Sequence, residues 1–217
     1  MSEELEALKR IAAEAAALLV EDGMAVGLGT GSTVKHLLPA IAARGLRGVR
    51  YVATSPATAQ QGAELGLAIE PFEALERLDL AIDGADQIAP DGWLVKGGGG
   101  AHVREKVVVV AADRFVVIAD PTKVVDMLVA PVPLELFGFG LAATLLEVAP
   151  VSLRAGAPPS PDGNVIADRL GPVDDPAALS ARLDAIPGVV GHGLFAPELV
   201  ADVLIGRPEG VEHRTLR

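Results

Sequence analysis

Short apolar runs alternate with amphipathic stretches along the first 120 residues. Apolar residues recur at helical spacing in 4–20, in 33–43 and after Pro56. The runs with the length of buried strands are 24–28, 50–54, 78–83, 93–96 and 115–119. This β-α-β-α-β order is typical of a parallel sheet that carries helices on both faces. The pattern therefore predicts a Rossmann-like, mostly parallel α/β domain.

The pattern changes after residue 130. The predicted elements are, in order, a strand at 132–136, a helix at 141–148, strands at 151–154 and 165–170, a helix at 176–186 and a strand at 189–195. The order βαββαβ predicts a small ferredoxin-like α+β domain. An apolar run at 201–206 predicts that the chain returns to the first domain as an edge strand. We therefore expect a larger domain at 1–129 and 200–217, and a smaller one at 130–199.

Composition restricts the partners more than the fold. The 217 residues carry a formal net charge of -11, which argues against a nucleic acid partner because a duplex requires clustered cations. Without cysteine the chain has no disulfide, thiolate nucleophile or zinc–sulfur site, and a reducing cytoplasm is the expected location. No apolar run reaches the length of about 18 residues that a membrane-spanning helix requires.

Four consecutive glycines, 97–100, lie between Lys96 and Glu105 in the sequence KGGGGAHVREK. Glycine tolerates positive φ and lets the backbone approach a ligand, so the N–H groups of this loop can bind an anion. A glycine-rich hairpin tip would explain the loop alone equally well, but the predicted strand and helix beside it favour an ordered functional loop. Glu105, expected about two turns into its helix, is either a general base or one partner of a surface ion pair.

The sequence GLGTGST, residues 27–33, lies between a predicted strand and a predicted helix. Free N–H groups and the helix dipole favour an anion at such a position. Ser32 stands where the dinucleotide fingerprint requires glycine, and the P-loop lysine is missing, so a monophosphate is the expected ligand. The alternative is an ordinary helix cap formed by Ser32 or Thr33.

Asp83 and Asp86 follow the apolar run 78–83 in the sequence DGADQI. These carboxylates suit a metal ion, proton exchange with hydroxyls, or a turn cap. A metal is the least favoured of the three, because the four histidines show no ligand spacing. The loops GLGTGST, DGAD, KGGGG and DPTK all follow predicted strands, and the carboxyl ends of parallel strands meet at one edge. We therefore expect the four loops to converge.

With these motifs identified, the chain resembles the type A ribose-5-phosphate isomerase family, whose hallmark loops are similar to GLGTGST, TSPAT, DGADQI and KGGGGAHVREK in the same order. The resemblance covers nearly the whole chain. It implies interconversion of D-ribose 5-phosphate and D-ribulose 5-phosphate in the pentose phosphate pathway, without a metal or cofactor, by a homodimer or a tetramer. The chain departs from the family pattern at Gln87, where glutamate is usual, and at His102, which we interpret as structural or rim-facing.

The resemblance also implies roles for individual residues. Glu105 would move the proton between C2 and C1 through a cis-enediolate, and Asp83 would assist ring opening. Asp86 would hold sugar hydroxyls, while Lys96 and the glycine N–H groups would stabilise the enediolate oxyanion. The other residues that the resemblance places at the substrate are Lys9, Gly29, Thr30, Gly31, Ser32, Thr33, Gly84, Ala85, Gly97, Gly98, Gly99 and Lys123. Of these, Lys9, Ser32, Thr33 and Lys123 would hold the phosphate.

Two other functions are compatible with the same α/β framework. A CoA transferase would use a glutamate such as Glu105 as nucleophile, although such chains are usually longer. A non-catalytic sugar-phosphate sensor would keep the phosphate loop and dispense with the base. The chain has no basic patch or helix-turn-helix that would couple such a sensor to DNA, so the isomerase is the preferred prediction.

Overall fold

The computed structural model describes residues 3–217, which form six α-helices and thirteen β-strands. The helices are α1 (Glu3–Ala17), α2 (Val34–Ala42), α3 (Pro56–Glu64), α4 (His102–Ala111), α5 (Leu141–Glu147) and α6 (Pro176–Asp184). The strands are β1 (Ala25–Leu28), β2 (Arg50–Ala53), β3 (Leu78–Gly84), β4 (Gln87–Ile88), β5 (Leu94–Val95), β6 (Ala112–Ala119), β7 (Val132–Leu136), β8 (Val151–Leu153), β9 (Val165–Arg169), β10 (Val189–His192), β11 (Leu194–Phe195), β12 (Asp202–Arg207) and β13 (Gly210–Thr215). None of the helices in the described range combines the length and the hydropathy that crossing a bilayer requires.

The largest sheet has six strands in the order β13-β12-β6-β3-β1-β2. All neighbouring pairs are parallel except β12 and β13. The predicted return of the chain to this sheet is confirmed, but the prediction of an edge strand at 201–206 is wrong, because β13 pairs along the outer side of β12. The sequence of β13, GVEHRT, is mostly polar and contains no apolar run, so the hydrophobic pattern does not predict this strand.

Alternate positions along β1 show how both faces of this sheet are covered. Val26 and Leu28 are buried in an apolar cluster that includes residues of α1 and α2. Position 27 faces the opposite side of the sheet, because successive residues of a strand alternate between its two faces. A Cβ at Gly27 would clash with Val108 of α4, so glycine permits this helix to approach the sheet. The predicted α/β class with helices on both faces is confirmed.

A second, four-stranded antiparallel sheet has the order β10-β7-β9-β8. Numbered within the predicted βαββαβ segment, this order is 4-1-3-2, so the ferredoxin-like arrangement is confirmed. Its apolar cluster joins Leu134 and Leu136 of β7 to Leu179 and Leu183 of α6.

A third sheet consists of three short antiparallel strands in the order β11-β5-β4. The predicted strand at 93–96 exists as β5, but it does not belong to the parallel sheet. Only a short turn connects β4 to β5, and such a connection permits antiparallel pairing alone. The prediction that KGGGG leaves the same sheet edge as the other three loops is therefore wrong.

The chain forms two compact units. The first contains residues up to 85, 104–123 and 198–217, and the second contains 86–103 and 124–197. The first unit includes the six-stranded sheet, and the second includes both smaller sheets. Residues 86–103 and 124–129, which the predicted boundaries assign to the larger domain, lie in the second unit, where β4, β5 and β11 pair.

Candidate active site

The loop between β1 and α2 borders a pocket in the first unit. Gly31 has a φ of 137°, a value that side-chain-bearing residues rarely adopt. Thr33 occupies the position before α2, but its side chain makes no capping hydrogen bond to the helix. Helix capping therefore does not account for a hydroxyl-bearing residue at position 33. The pocket has a volume of about 170 Å³ and is lined by Thr30, Gly31, Ser32, Val34, Lys35, Ala57, Thr58 and Gln61. Its position at a helix N-terminus favours a small anion.

Asp83 lies at the end of β3 and is 2% exposed. Its Oδ1 accepts hydrogen bonds from the backbone N–H of Thr30 at 3.0 Å and of Gly84 at 2.7 Å. A Cβ at Gly29 would overlap the carboxyl group of Asp83. The structure therefore brings Asp83 together with the loop 29–33, and glycine at 29 makes that approach possible.

We expect Gly29→Ala to destabilise the protein by about 1–3 kcal/mol, because either Asp83 or the loop must move to accommodate the methyl group. Urea unfolding measures this loss. Gly138→Ala is the matched control, since a Cβ there meets nothing within 4 Å. Equal stability of the two variants would contradict the close approach of Asp83 to Gly29.

Glu105 lies in the first turn of α4 and is 3% exposed. The expectation that it lies two turns into its helix is wrong, because α4 begins only at His102. Gly97 and Gly100 have φ values of 107° and 73°, which interrupt a right-handed helix before that point. The helix dipole at this end stabilises a negative charge. The structure thus places a buried carboxylate at the positive end of a helix.

Lys9 is buried in α1, and together with His36 it is hydrogen-bonded to the carboxylate of Glu6. Its Nζ lies 2.8 Å from Oε1 of Glu6, and Nε2 of His36 lies 2.8 Å from Oε2 of the same carboxylate. The hydrogen bond from Lys9, followed by that from His36, lowers the pKa of Glu6 from 4.5 to about 2. Glu6 therefore orients Lys9 and links α1 to α2.

The low pKa of Glu6 predicts a loss of stability in acid. A carboxylate whose pKa is lower in the folded state stabilises the fold above pH 4.5, and this contribution disappears as the pH falls towards about 2. Urea unfolding between about pH 6 and about pH 3 should show a larger loss for the wild type than for Glu6→Gln. Glu14→Gln, an exposed position on the same helix, should behave like the wild type. A pH dependence that Glu6→Gln leaves unchanged would contradict this assignment.

Lys123 ends a short helical turn, Pro121–Lys123, that follows β6. Asp120 fixes this turn, because its Oδ1 accepts hydrogen bonds from the backbone N–H and the hydroxyl of Thr122. The backbone N–H of Lys123 donates to the Asp120 carbonyl at 3.2 Å. The half-buried Lys123 therefore stands on a turn that the preceding aspartate orders.

In the second unit, Lys96 follows β5 and is 2% exposed. Its backbone N–H donates to the Gly193 carbonyl at 2.8 Å, and its Nζ lies 5.4 Å from the centre of the Phe195 ring. An ammonium group over an aromatic face is attracted by the negative charge of that face. The buried cation is therefore held beside the glycine loop by β11.

Asp86 and the glycine loop are hydrogen-bonded to each other. Oδ2 of Asp86 accepts the backbone N–H of Gly98 at 2.8 Å, and a Cβ at Gly98 would lie 2.9 Å from Oδ1. The N–H of Gly100 donates to the Gly97 carbonyl at 3.0 Å. Two of the four glycine N–H groups are therefore directed at protein acceptors, and an anion would have to rely on Gly97 and Gly99.

The two aspartates of DGADQI therefore have different partners. Asp83 contacts the loop 29–33 within the first unit, and Asp86 contacts the glycine loop within the second. Across residues 3–217, no three histidine or carboxylate side chains are grouped as metal ligands. The prediction of a metal-free site stays a prediction.

Comparison with known proteins identifies the group to which these loops belong. The family model of ribose 5-phosphate isomerase A (phosphoriboisomerase A) matches residues 50–210 of the chain. The chain belongs to the ribose 5-phosphate isomerase A family. This membership rests on three quarters of the sequence, including the DGADQI and KGGGG loops.

Relatives and solved structures of the ribose 5-phosphate isomerase A family match almost end to end. A ribose-5-phosphate isomerase A from Caulobacter vibrioides is 45% identical, with 94% of this chain and 95% of the relative covered. The Neisseria gonorrhoeae enzyme structure has a TM-score of 0.93 at 31% identity, covering 98% of both chains. The Methanocaldococcus jannaschii structure has a TM-score of 0.91 at 31% identity, covering 99% and 100%.

The predicted membership of the ribose 5-phosphate isomerase A family is thus confirmed, as is the prediction of an enzyme of the isomerase class. Membership disfavours the CoA transferase and the sensor. The roles of individual residues are not settled by these likenesses and stay predictions.

Sequence reasoning missed the residues that support the loops. The TSPAT motif, residues 54–58, has no role assigned to it from the sequence. In the structure it supports the loop after β1: the Thr58 hydroxyl donates to the Gly29 carbonyl at 2.9 Å, and the hydroxyl oxygens of Thr54 and Thr30 are 2.8 Å apart. The sequence pattern predicts Arg154 only as the last residue of a strand. In the structure its guanidinium donates to the carbonyls of the glycine loop. Such contacts join distant parts of the sequence, so no local pattern marks them.

The structure explains the departure from the family pattern at Gln87 and locates the one at His102. Gln87 donates from Nε2 to the Val129 carbonyl and accepts the Val129 N–H at Oε1, each at 2.8 Å. An ionised glutamate could not make the first of these bonds. His102 is 0% exposed, so the rim-facing interpretation is wrong and the structural one stays a prediction.

Proposed function

We propose that this chain interconverts D-ribose 5-phosphate and D-ribulose 5-phosphate by proton transfer through a cis-enediolate, with Glu105 as the general base. The observation that carries the proposal is the buried Glu105 carboxylate at the N-terminus of α4, in a chain of this isomerase family. The substrate class is a phosphorylated pentose. One carboxylate can take the proton from C2 and return it to C1, so the reaction needs no second base.

The phosphate would bind at the loop 29–33. The pocket there has room for a small anion, and the N-terminus of α2 supplies N–H donors. Ser32 and Thr33 add hydroxyls, and Lys9 and Lys123 add positive charge in a chain whose net charge is strongly negative. Binding energy from this remote group would fix the sugar for the chemical step.

The reaction requires stabilisation of the enediolate oxygen. A proton next to a carbonyl is too weakly acidic for a carboxylate to remove unaided. Lys96 is almost fully buried, and a charge in a site of low dielectric interacts more strongly than the same charge in water. We assign oxyanion stabilisation to Lys96 together with the N–H groups of Gly97 and Gly99.

The two aspartates would handle the sugar hydroxyls. Two backbone N–H groups fix the orientation of Asp83, which suits it to ring opening and proton exchange with a hydroxyl. Asp86 is oriented by Gly98 and would accept hydrogen bonds from the sugar. Gly84 and Ala85 lie between them and would contribute backbone contacts. The predicted homodimer or tetramer and the absence of a cofactor remain part of this proposal.

Proton NMR of ribose 5-phosphate incubated with the protein in D2O and EDTA tests the proposal. We expect the ketose to appear with solvent deuterium at C1, because the proton on Glu105 can exchange during its transfer. Ketose without any deuterium would indicate either complete internal return of the proton or hydride transfer. Binding without turnover would overturn the isomerase and favour the sugar-phosphate sensor. Turnover only when a divalent metal replaces the EDTA would overturn the metal-free mechanism.

A further inference from the structure

Arg154 joins β9 to the backbone of the glycine loop within the second unit. Its Nε and Nη2 donate to Oδ2 and Oδ1 of Asp168 at 2.9 and 2.5 Å. Its Nη1 donates to the carbonyl oxygens of Gly97 and Gly98 at 3.0 and 3.1 Å. Because the guanidinium is planar and rigid, the bidentate pair with Asp168 fixes where Nη1 lies.

The carbonyls that Arg154 binds determine where two N–H groups point. Both peptide bonds are trans, so each carbonyl and the N–H of the following residue point in opposite directions. The carbonyl of Gly97 faces Arg154, and the N–H of Gly98 in the same peptide donates to Asp86. The carbonyl of Gly98 also faces Arg154, so the N–H of Gly99 points away from the guanidinium. One side chain thus orients two successive peptide groups.

The charges along this arrangement reinforce each other. The hydrogen bond from Arg154 to Asp168 raises the pKa of Arg154 above its ordinary value, and the charges of Asp168 and Asp86 act in the same direction. A cation on the carbonyl side of a peptide polarises it, and hydrogen bonds in a chain strengthen one another. The N–H groups of Gly98 and Gly99 are therefore better donors than those of an unassisted loop.

A run of glycines requires such an external restraint. Glycine has the largest conformational freedom of any residue, and four in succession would sample many backbone states without it. Gly97 and Gly100 adopt positive φ, and the hydrogen bond between them closes a turn. Arg154 acts on the two carbonyls within that turn.

We propose that Arg154, held by Asp168, is a positioning residue for the isomerisation: it fixes the glycine loop so that Asp86 is oriented and the Gly99 N–H is directed at the developing oxyanion. This inference rests on the proposed function, because it assigns the Gly99 N–H to the enediolate. Arg154 itself need not touch the substrate. Arg154 would therefore stabilise the transition state and would leave the binding of the phosphate group unchanged.

The kinetic test compares Arg154→Met with Arg182→Met. Arg182 is a matched control, because it lies in the same unit and donates to a carbonyl, that of Glu147, at 3.1 Å. We expect Arg154→Met to lower kcat about tenfold to hundredfold, as misplacement of oriented groups does, with KM changed by less than about threefold. Arg154→Lys should recover part of the loss, and Asp168→Asn should reproduce part of it. Arg182→Met should match the wild type.

Amide hydrogen exchange of ¹⁵N-glycine-labelled protein provides a readout that is independent of turnover. The Gly98 amide should exchange faster in Arg154→Met and remain protected in Arg182→Met. Unchanged exchange and kcat in Arg154→Met, or a rise in KM alone, would overturn the inference. An inactive wild type would overturn the proposed function together with this inference, whereas an active wild type with an insensitive Arg154→Met would overturn this inference alone. If Arg154→Met does not fold, Arg154→Lys carries the same comparison.

Discussion

Glu105→Gln is expected to lower kcat about 10²- to 10⁴-fold while leaving KM nearly unchanged, the range typical for removal of a general base. The amide keeps the shape of the side chain and removes its ability to accept the C2 proton. Steady-state kinetics with ribose 5-phosphate measures the loss. Deuterium incorporation at C1 should fall in parallel, because both depend on the same proton transfer.

Two further variants show whether a lower kcat in Glu105→Gln results from removal of the base. Glu14→Gln makes the same chemical change at an exposed position of α1 and should keep full activity. Glu105→Asp retains the carboxylate but withdraws it by one methylene, so it should retain more activity than the amide. Near-wild-type kcat in Glu105→Gln would remove Glu105 from the role of base, even if ketose formation by the wild type is established.

Lys96→Met should lower kcat about 10²- to 10³-fold, the cost typical of losing one oxyanion stabiliser. Methionine keeps the unbranched chain beside Phe195 and removes only the charge, so the packing of this buried position is largely preserved. KM should change much less than kcat, because the ammonium acts on charge that develops in the transition state. The affinity for inorganic phosphate as a competitive inhibitor should be unaffected.

Lys106→Met provides the matched control for Lys96→Met. The chain has five lysines, and Lys106 is the one that neither the proposed site nor the phosphate pocket uses. It should retain wild-type kcat. If Lys96→Met raises KM at constant kcat, Lys96 binds the ground state, and the oxyanion would have to rely on the backbone alone.

The parallel strands of the fold were predictable because each contains an apolar run, and because helices connect β1 to β2 and β2 to β3. β3 coincides with the apolar run that leads into DGAD, and the six elements from β7 to β10 match the predicted βαββαβ order. The misassigned strands have weaker signals. β5 has only two residues, and β13 is a mostly polar strand at a sheet edge. Their partners are determined by turn length and by distant strands rather than by their own composition.

The candidate site was predictable where one short motif carries the chemistry. Asp83, Lys96 and Glu105 all belong to short sequence motifs that are unusual in themselves. The contacts that support the site were not predictable, because they join residues far apart in the sequence, as in the hydrogen bond from Thr58 to Gly29. The pairing of Asp86 with Gly98 also required the structure, since the sequence suggested that all four glycine N–H groups face an anion.

The position of β12 has a consequence for synthesis of the chain on the ribosome. β12 lies between β6 and β13, yet it belongs to the last stretch of the sequence. Until residues 202–215 have been translated, β6 has no partner along one side, while the whole segment 124–197 emerges in between. An unpaired edge of this kind readily recruits strands from other chains. The nascent polypeptide is therefore vulnerable to association until β12 has emerged, and any delay in the synthesis of 124–201 prolongs that exposure.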